Sequence, residues 1–293
     1  MRAVVTLVSP SPSALADAVE AVVSHAPPVK ARDALDEMAA DLIIETDDPE
    51  TLRKAVDSAV ASLPVDACVQ PAEGRAKRLL IADMDSTIIS CECLDELADY
   101  AGVKAEIAEV TERAMRGELD FEPALRARVA RLKGLSLKAL QRCYDERVRL
   151  NPGARTLIRT MAAHGARCVL VSGGFEFFTS RVADLAGFHD HRGNTLIDDG
   201  ERLTGEVGDP ILGREAKLEA LKAEAAALGV GLDQTIAIGD GANDLAMIMA
   251  AGLGVAYRAK PVVAAQARAR IDHADLTALL YFQGYRRDAF TTI

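Results

Sequence analysis

A short apolar strand that ends in acidic residues is the most informative stretch of this chain. Residues 78–87 read RLLIADMDST, so that Asp83 and Asp85 directly follow the apolar run. A short run of this kind, bounded by polar residues, is typical of a buried strand. Two carboxylates at the mouth of a sheet can face one ion or one substrate. An isolated Asp-x-Asp, however, is more often a solvated acidic turn.

The segments that follow this strand alternate between helical and extended patterns. The helices are expected at residues 154–164, 175–186, 213–228 and 243–251, and the strands at 167–171 and 235–238. Such alternation predicts a parallel sheet with helices on both faces, a Rossmann-like three-layer α/β fold. Before it, a helical tract from about 92 to 150 is broken at Gly102, Gly117 and Gly134. Turns at Gly193-Asn194 and Asp199-Gly200 suggest a β-hairpin within 188–208.

The first quarter of the chain has a different pattern. Strands are expected at residues 3–8, 29–37, 41–46 and 65–70, with helices at 12–24 and after Asp47. This order is the split βαβ pattern of a small α+β domain, and it resembles the ferredoxin-like ACT domain by pattern only. The polar stretch 71–77 reads as a linker. We therefore expect an ACT-like regulatory or dimerisation domain at 1–74 and a second domain at 75–293, with a helical cap at about 92–150.

Composition and charge exclude several classes of protein. The chain has 293 residues, 49% of them hydrophobic and 27% charged, which is typical of a globular fold rather than a disordered or fibrous one. Its 34 basic and 44 acidic residues give a net charge of −10, which disfavours nucleic acid as a partner. That charge also repels anions, so an anion site must be locally cationic. No apolar stretch is long enough for a membrane helix, so no membrane contact is expected.

The cysteines favour a reduced compartment. There are five, which is an odd number, and their spacing is irregular, at Cys68, Cys91, Cys93, Cys143 and Cys168. This pattern fits neither a disulfide framework nor a four-cysteine zinc site. We therefore expect a cytoplasmic protein.

Four motifs fall at predicted strand ends or helix starts. They are Asp83–Thr87, Ser172-Gly173-Gly174, the lone Lys217, and Gly239–Asp244. Carboxylates gathered in one crevice need a cation, and oxygen ligands favour Mg²⁺. A glycine turn before a helix offers N–H groups to an anion. Each motif is weak evidence alone, but together they supply what phosphoryl transfer requires.

In this order, the four motifs resemble those of the haloacid dehalogenase-like (HAD) phosphatases, over roughly residues 76–293. The resemblance implies that Asp83 is the nucleophile and a metal ligand. It implies that Asp85 is the general acid and base and gives its backbone carbonyl to Mg²⁺, with Asp240 as a further ligand. Ser172, Gly173, Lys217 and Asn243 would contact the phosphate, and Asp244 and Thr87 would support the site.

A closer resemblance rests on Glu92, nine residues past Asp83, on Phe121 and Arg128 in the helical insertion, and on Ser172-Gly173-Gly174-Phe175. With the Asp83–Thr87 motif, these residues resemble those of superfamily members that hydrolyse phosphoserine in serine biosynthesis. This similarity implies that Glu92 binds the substrate ammonium, that Arg128 binds its carboxylate, and that Phe121 packs over it. Two alternatives stay open: a phosphatase or phosphotransferase for another small phosphate, and a ligand sensor that has lost activity. A homodimer through the N-terminal domain is also expected.

Overall fold

Two β-sheets organise the part of the chain that the computed structural model describes, residues 1–115 and 120–291. The first sheet is antiparallel, with strand order β2-β3-β1-β4. Its elements follow the predicted order, with both helices on one face: β1 (Arg2–Val8), α1 (Pro12–His25), β2 (Val29–Asp36), β3 (Ala39–Glu45), α2 (Pro49–Val60) and β4 (Asp66–Pro71). Ser11 caps α1 and Asp48 caps α2, and a proline begins each helix.

The second sheet is parallel, and within the described residues it has the strand order β12-β11-β10-β5-β6-β7. Its strands are β5 (Leu79–Ala82), β6 (Arg167–Phe175), β7 (Asp190–Asn194), β10 (Thr235–Gly239), β11 (Leu253–Tyr257) and β12 (Ala269–Ile271). Helices pack on both faces: α7 (Ala154–Ala163), α8 (Glu176–Ala186) and α12 (Ala278–Phe282) on one, and α9 (Arg214–Leu228), α10 (Leu245–Ala250) and α11 (Pro261–Ala264) on the other.

Alternation along the strands explains these two layers. In β5, Leu80 packs into one apolar cluster, whereas Leu79 and Ile81 pack into the other. Successive side chains of a strand point to opposite faces, so an unbroken apolar strand requires cover on both sides. The α/β fold class expected from the sequence is confirmed.

A set of helices inserted after β5 covers one edge of the parallel sheet. They are α3 (Cys93–Ala101), α4 (Lys104–Met115), α5 (Phe121–Ala130) and α6 (Leu137–Arg147). Gly102 ends α3 in the left-handed conformation (φ 69°), as its position between helices predicted. Gly134 lies in a turn after α5, whereas the predicted break at Gly117 lies outside the described residues.

The hairpin β8 (Leu196–Asp198) and β9 (Leu203–Val207) supports this cap, because the Gly134 N–H donates to the Leu203 carbonyl (2.8 Å). The predicted turn at Asp199-Gly200 joins these two strands. The predicted turn at Gly193-Asn194 is wrong, because both residues belong to β7, a parallel edge strand. Asn194 is buried and its side chain bonds the Gly173 carbonyl and the Leu212 backbone, so it anchors two loops instead of forming a turn.

The antiparallel sheet packs against the parallel-sheet unit through α12 and the loop before it. We call this contact the seam. Arg75 pairs with Asp41 (2.6 Å) and donates to the Tyr281 carbonyl (3.1 Å), so the predicted linker contains a partly buried arginine that contacts both units. Asp66 accepts hydrogen bonds from the backbone of residues 272–274. Among the helices described, none has both the length and the apolar character needed to cross a membrane.

Candidate active site

The predicted acidic residues meet at the carboxyl edge of the parallel sheet. Asp83 follows β5, Ser172 lies near the end of β6, and Asp240 follows β10. These three strands are neighbours, so their ends bring the side chains into one crevice. The close approach of Asp85 to the backbone of β6 requires glycine at position 174, because a Cβ there would lie 2.8 Å from Asp85 Oδ2.

A tight turn, Met84–Ile88, carries the chain away from β5 and contains Ser86 in the left-handed region (φ 55°). Left-handed backbone is uncommon for residues other than glycine and marks a position that the surrounding structure enforces. The Ser86 hydroxyl donates to Glu92 Oε1 (2.6 Å). The turn therefore links the acidic motif directly to the start of the cap.

Lys217 joins two of the carboxylates inside the protein. Its side chain is 2% exposed, and its Nζ lies 2.6 Å from both Asp83 Oδ1 and Asp244 Oδ1. Burial acts to lower the pKa of Lys217, but the two carboxylates outweigh it and raise that pKa. Lys217 therefore remains a cation. Asp244 is in turn held by the Gly241 N–H (3.0 Å).

Three carboxylates could hold a cation. Asp83, Asp240 and Asp244 each offer an oxygen within 4.8 Å of the others. Burial and Asp244 raise the pKa of Asp83 well above its usual range, and they also raise that of Asp240, to about 6. Thr87 is buried and donates to Asp240 Oδ1 (3.3 Å), which fits its predicted supporting position. An all-oxygen cluster with repelling charges fits a hard divalent cation.

Asp85 is held apart from that cluster by its own partners. Its Oδ1 accepts the Cys93 N–H (2.9 Å), and its Oδ2 accepts the Ser172 hydroxyl (3.3 Å). Burial and the nearby Glu92 carboxylate raise the pKa of Asp85 to about 6. A carboxyl group in that range can both donate and accept a proton near neutral pH.

A cavity of about 560 Å³ lies over these groups, and the cap forms part of its wall. All the predicted substrate contacts except Lys217, which lies buried beneath, line its wall: Glu92, Arg128, Ser172, Gly173 and Asn243. Phe121 also lines it, with its ring 3.2 Å from where a Gly173 Cβ would lie. The structure therefore brings side chains of the cap and the sheet edge to one space.

The two charged side chains of the cap differ in their surroundings. Glu92 is exposed and bonded to Ser86. Arg128 is half-buried, its Nε donates to the Ala124 carbonyl (3.2 Å), and burial lowers the pKa of its guanidinium. Among the described residues, no acidic side chain forms an ion pair with Arg128. A partly desolvated guanidinium in this position can bind an anion.

Lys260 lines the same cavity and was missed by the sequence reasoning. It follows β11, and its backbone N–H donates to the Asp240 carbonyl (3.1 Å). Its charge acts to lower the pKa of Asp240. Residues 253–257 were not predicted as a strand. Ligands of open α/β sheets bind at the carboxyl ends of the strands, so a strand predicted there would have made Lys260 a candidate.

Comparisons with known proteins agree with this site. The family model for haloacid dehalogenase-like hydrolases matches residues 80–249. A phosphoserine phosphatase of Streptomyces coelicolor is 47% identical over 253 residues, which cover 85% of this chain but only 61% of that protein. One of Polaromonas is 47% identical over 208 residues, covering 69% of this chain and 88% of that protein.

A solved structure is similar over almost the whole chain. A probable phosphoserine phosphatase from Vibrio cholerae superposes with a TM-score of 0.79 at 31% identity, covering 98% of this chain and 88% of that one. The similarity therefore includes both the antiparallel sheet and the parallel sheet with its cap. From the matching family model, the shared fold and the high identity to these relatives, the chain belongs to the haloacid dehalogenase-like hydrolases.

Proposed function

We propose that this protein hydrolyses O-phospho-L-serine to L-serine and phosphate, the last step of L-serine biosynthesis. The observation that carries the proposal is the cavity itself, in which Glu92 and Arg128 of the cap face the acidic edge of the sheet. Opposite charges beside a phosphoryl-transfer site suit the ammonium and carboxylate of phosphoserine. Relatives of 47% identity that carry this name support the same substrate.

Asp83 is the proposed nucleophile. Both hydrogen bonds described for its side chain, from Lys217 and from the Met84 N–H, fall on Oδ1, so Oδ2 is available for attack. Oδ2 forms a bond to phosphorus as the bond from phosphorus to the serine oxygen breaks. The resulting aspartyl-phosphate divides one difficult transfer into two easier ones.

Asp85 is the proposed acid and base. As the first transfer proceeds, its proton passes to the leaving serine oxygen, which departs as a hydroxyl group. Its carboxylate then takes a proton from the water that attacks the aspartyl-phosphate, and phosphate leaves with Asp83 restored. The hydrogen bonds from the Cys93 N–H and Ser172 orient the carboxyl group for both tasks.

Mg²⁺ is the proposed cofactor. Its ligands would be Asp83, Asp240 and the backbone carbonyl of Asp85, with Asp244 beside it; the oxygen-only cluster supports this set. The ion would neutralise charge on the phosphoryl oxygens and on the carboxylates around it.

Ser172, Gly173, Lys217 and Asn243 are the proposed phosphate contacts. The Ser172 hydroxyl, backbone N–H groups and the Lys217 ammonium can donate to the phosphoryl oxygens. Lys217 also favours the ionised form of Asp83, since it lies against that carboxylate and its charge opposes the rise in the pKa of Asp83. Phe121 would cover the substrate and exclude water, because its ring packs over Gly173.

Location and assembly complete the proposal. A cytoplasmic location is supported by the five cysteines, each of which is a free thiol. The homodimer stays a prediction; β2 is an outer strand of the antiparallel sheet and offers an edge for such pairing. The ACT-like domain at 1–74 and the phosphatase domain at 75–293 also remain proposed units.

The test is phosphate release with and without Mg²⁺ from three related substrates. Phosphoserine carries both an ammonium and a carboxylate, phosphoethanolamine only the ammonium, and phospholactate only the carboxylate. We expect phosphoserine to exceed each of the others in kcat/KM by about 30-fold or more, since each lacks one charged contact. Equal rates on all three substrates would contradict phosphoserine as the preferred one.

A further inference from the structure

Two cysteines flank one residue of the cavity wall. Cys91 and Cys93 lie on either side of Glu92, after the acidic turn, and Cys93 begins α3. Cys91 is partly exposed to solvent, whereas Cys93 is 1% exposed. Both are free thiols, and neither side chain has a part in the proposed reaction.

The backbone of both cysteines is tied to the catalytic turn. The Ser86 N–H donates to the Cys91 carbonyl (3.2 Å), and the Cys93 N–H donates to Asp85 Oδ1 (2.9 Å). Glu92, between them, accepts the Ser86 hydroxyl (2.6 Å). A change in the backbone conformation of residues 91–93 would therefore alter the positions of the Asp85 and Glu92 side chains.

The local conformation turns the two thiols to the same side. Glu92 is extended (φ −97°, ψ 107°), and residues that flank an extended residue place their side chains on one face. Cys93 is enclosed, whereas Cys91 is partly exposed, so Cys91 is the sulfur that a solute in the water reaches first.

The spacing also indicates what joining the two sulfurs would do. Cα atoms two residues apart in an extended chain are at most about 7 Å apart, at the upper limit of what a disulfide bridges. Closing such a bond must therefore bend the backbone at Glu92. The bend would pull the Cys93 N–H away from Asp85 and turn the Glu92 carboxylate away from its present position.

We propose that Cys91 and Cys93 form a redox-sensitive pair whose oxidation by a hydroperoxide to a disulfide reversibly disables the active site. In the first step the Cys91 sulfur attacks the peroxide, the O–O bond breaks, and Cys91 becomes a sulfenic acid while water or an alcohol leaves. In the second step the Cys93 sulfur attacks Cys91, and the hydroxyl group leaves as water with the Cys93 proton. A dithiol reverses the change by exchange.

The test treats the purified full chain with hydrogen peroxide and follows the thiols and the activity separately. Trypsin releases residues 79–104 as one peptide that contains both cysteines and no others. We expect this peptide to lose two hydrogens, with two of the five thiols lost per chain. Phosphoserine turnover should fall at least about 10-fold, because Asp85 loses a positioning hydrogen bond, and dithiothreitol should restore it.

Two variants sharpen the result. Cys91→Ser removes the exposed partner and should keep its activity in peroxide. Cys143→Ala, which removes a buried neighbouring thiol, should oxidise and lose activity as the unmodified chain does. A disulfide from Cys91 to Cys143, an intact 79–104 peptide, or full activity with the pair oxidised would each overturn the proposal.

The functional consequence rests on the proposed phosphatase activity, but the disulfide does not. If the chain fails to hydrolyse phosphoserine and the peptide still loses two hydrogens, the proposed function fails and the pairing stands. If the untreated chain is active and no disulfide forms, only the redox proposal fails.

Discussion

The cavity and the seam both bury charged side chains, but they satisfy them differently. In the seam, Arg75 pairs with Asp41 and also donates to Thr6 and to two backbone carbonyls. In the cavity, Asp83, Asp240 and Asp244 lie within 4.8 Å of one another, and Lys217 contacts two of them. In the seam, the buried carboxylate has a cationic partner, whereas the cavity holds carboxylates that repel one another.

This difference separates a structural use of buried charge from a chemical one. A buried ion pair with all its hydrogen bonds satisfied needs no further partner. Carboxylates whose pKa values are raised by burial and by one another are stabilised by an added cation. We therefore expect variants of the cavity to alter activity with little loss of stability, and variants of the seam to do the reverse.

The largest effect is expected for the nucleophile. Asp83→Asn keeps the shape of the side chain but removes its nucleophilic charge, so phosphoserine turnover should fall by about 10⁴-fold or more. The melting temperature should not fall, because the change relieves repulsion from Asp244. Turnover near that of the unmodified protein would contradict the covalent route.

The seam should give the largest loss of stability. Arg75→Met leaves Asp41 buried without its partner, which should lower the free energy of unfolding by about 3–5 kcal/mol. Arg53→Met is the matched control, since its partners Glu50 and Asp57 lie at the surface, where ion pairs contribute little to stability. Denaturant unfolding measures both. Equal effects of the two variants would remove the contrast between seam and surface.

A smaller and selective effect is expected at the cap. Arg128→Ala should lower kcat/KM for phosphoserine by about 100-fold, because the substrate carboxylate loses its charged partner. Phosphoethanolamine, which has no carboxylate, should lose far less. A similar loss on both substrates would mean that Arg128 maintains the cap instead of binding the carboxylate.

The smallest effect expected is stabilisation by the metal. At a Mg²⁺ concentration tenfold above its Kd, binding to the folded state should add about 1.4 kcal/mol, seen as a higher melting temperature. Asp240→Asn should abolish that increase, and Arg75→Met should keep it. EDTA should remove both the increase and the activity. An unchanged response in Asp240→Asn would exclude Asp240 as a ligand.

Much of the fold and of the site follows from local sequence. The apolar run 79–82, the helical periodicity after residue 154 and the glycine at 102 each specify an element through nearby residues alone. Asp83 and Asp240 follow strands and Ser172 lies near the end of one; parallel topology places strand ends together, so their meeting could be predicted. The turn predicted at Gly193-Asn194 is wrong because Asn194 forms hydrogen bonds with distant loops, and no local sequence pattern indicates such contacts.

Tertiary structure alone decided which charged side chains pair with one another and which are buried. Lys217 and Asp244 are 27 residues apart and Arg75 and Asp41 are 34 apart, yet the atoms of each pair lie 2.6 Å from one another, the first pair buried and the second partly buried. Lys260 joins the cavity only because β11 lies beside β10. The sequence determines which residues are charged and which elements carry them. Burial and pairing depend on which elements pack together, and these decide whether a charge stabilises the fold or takes part in chemistry.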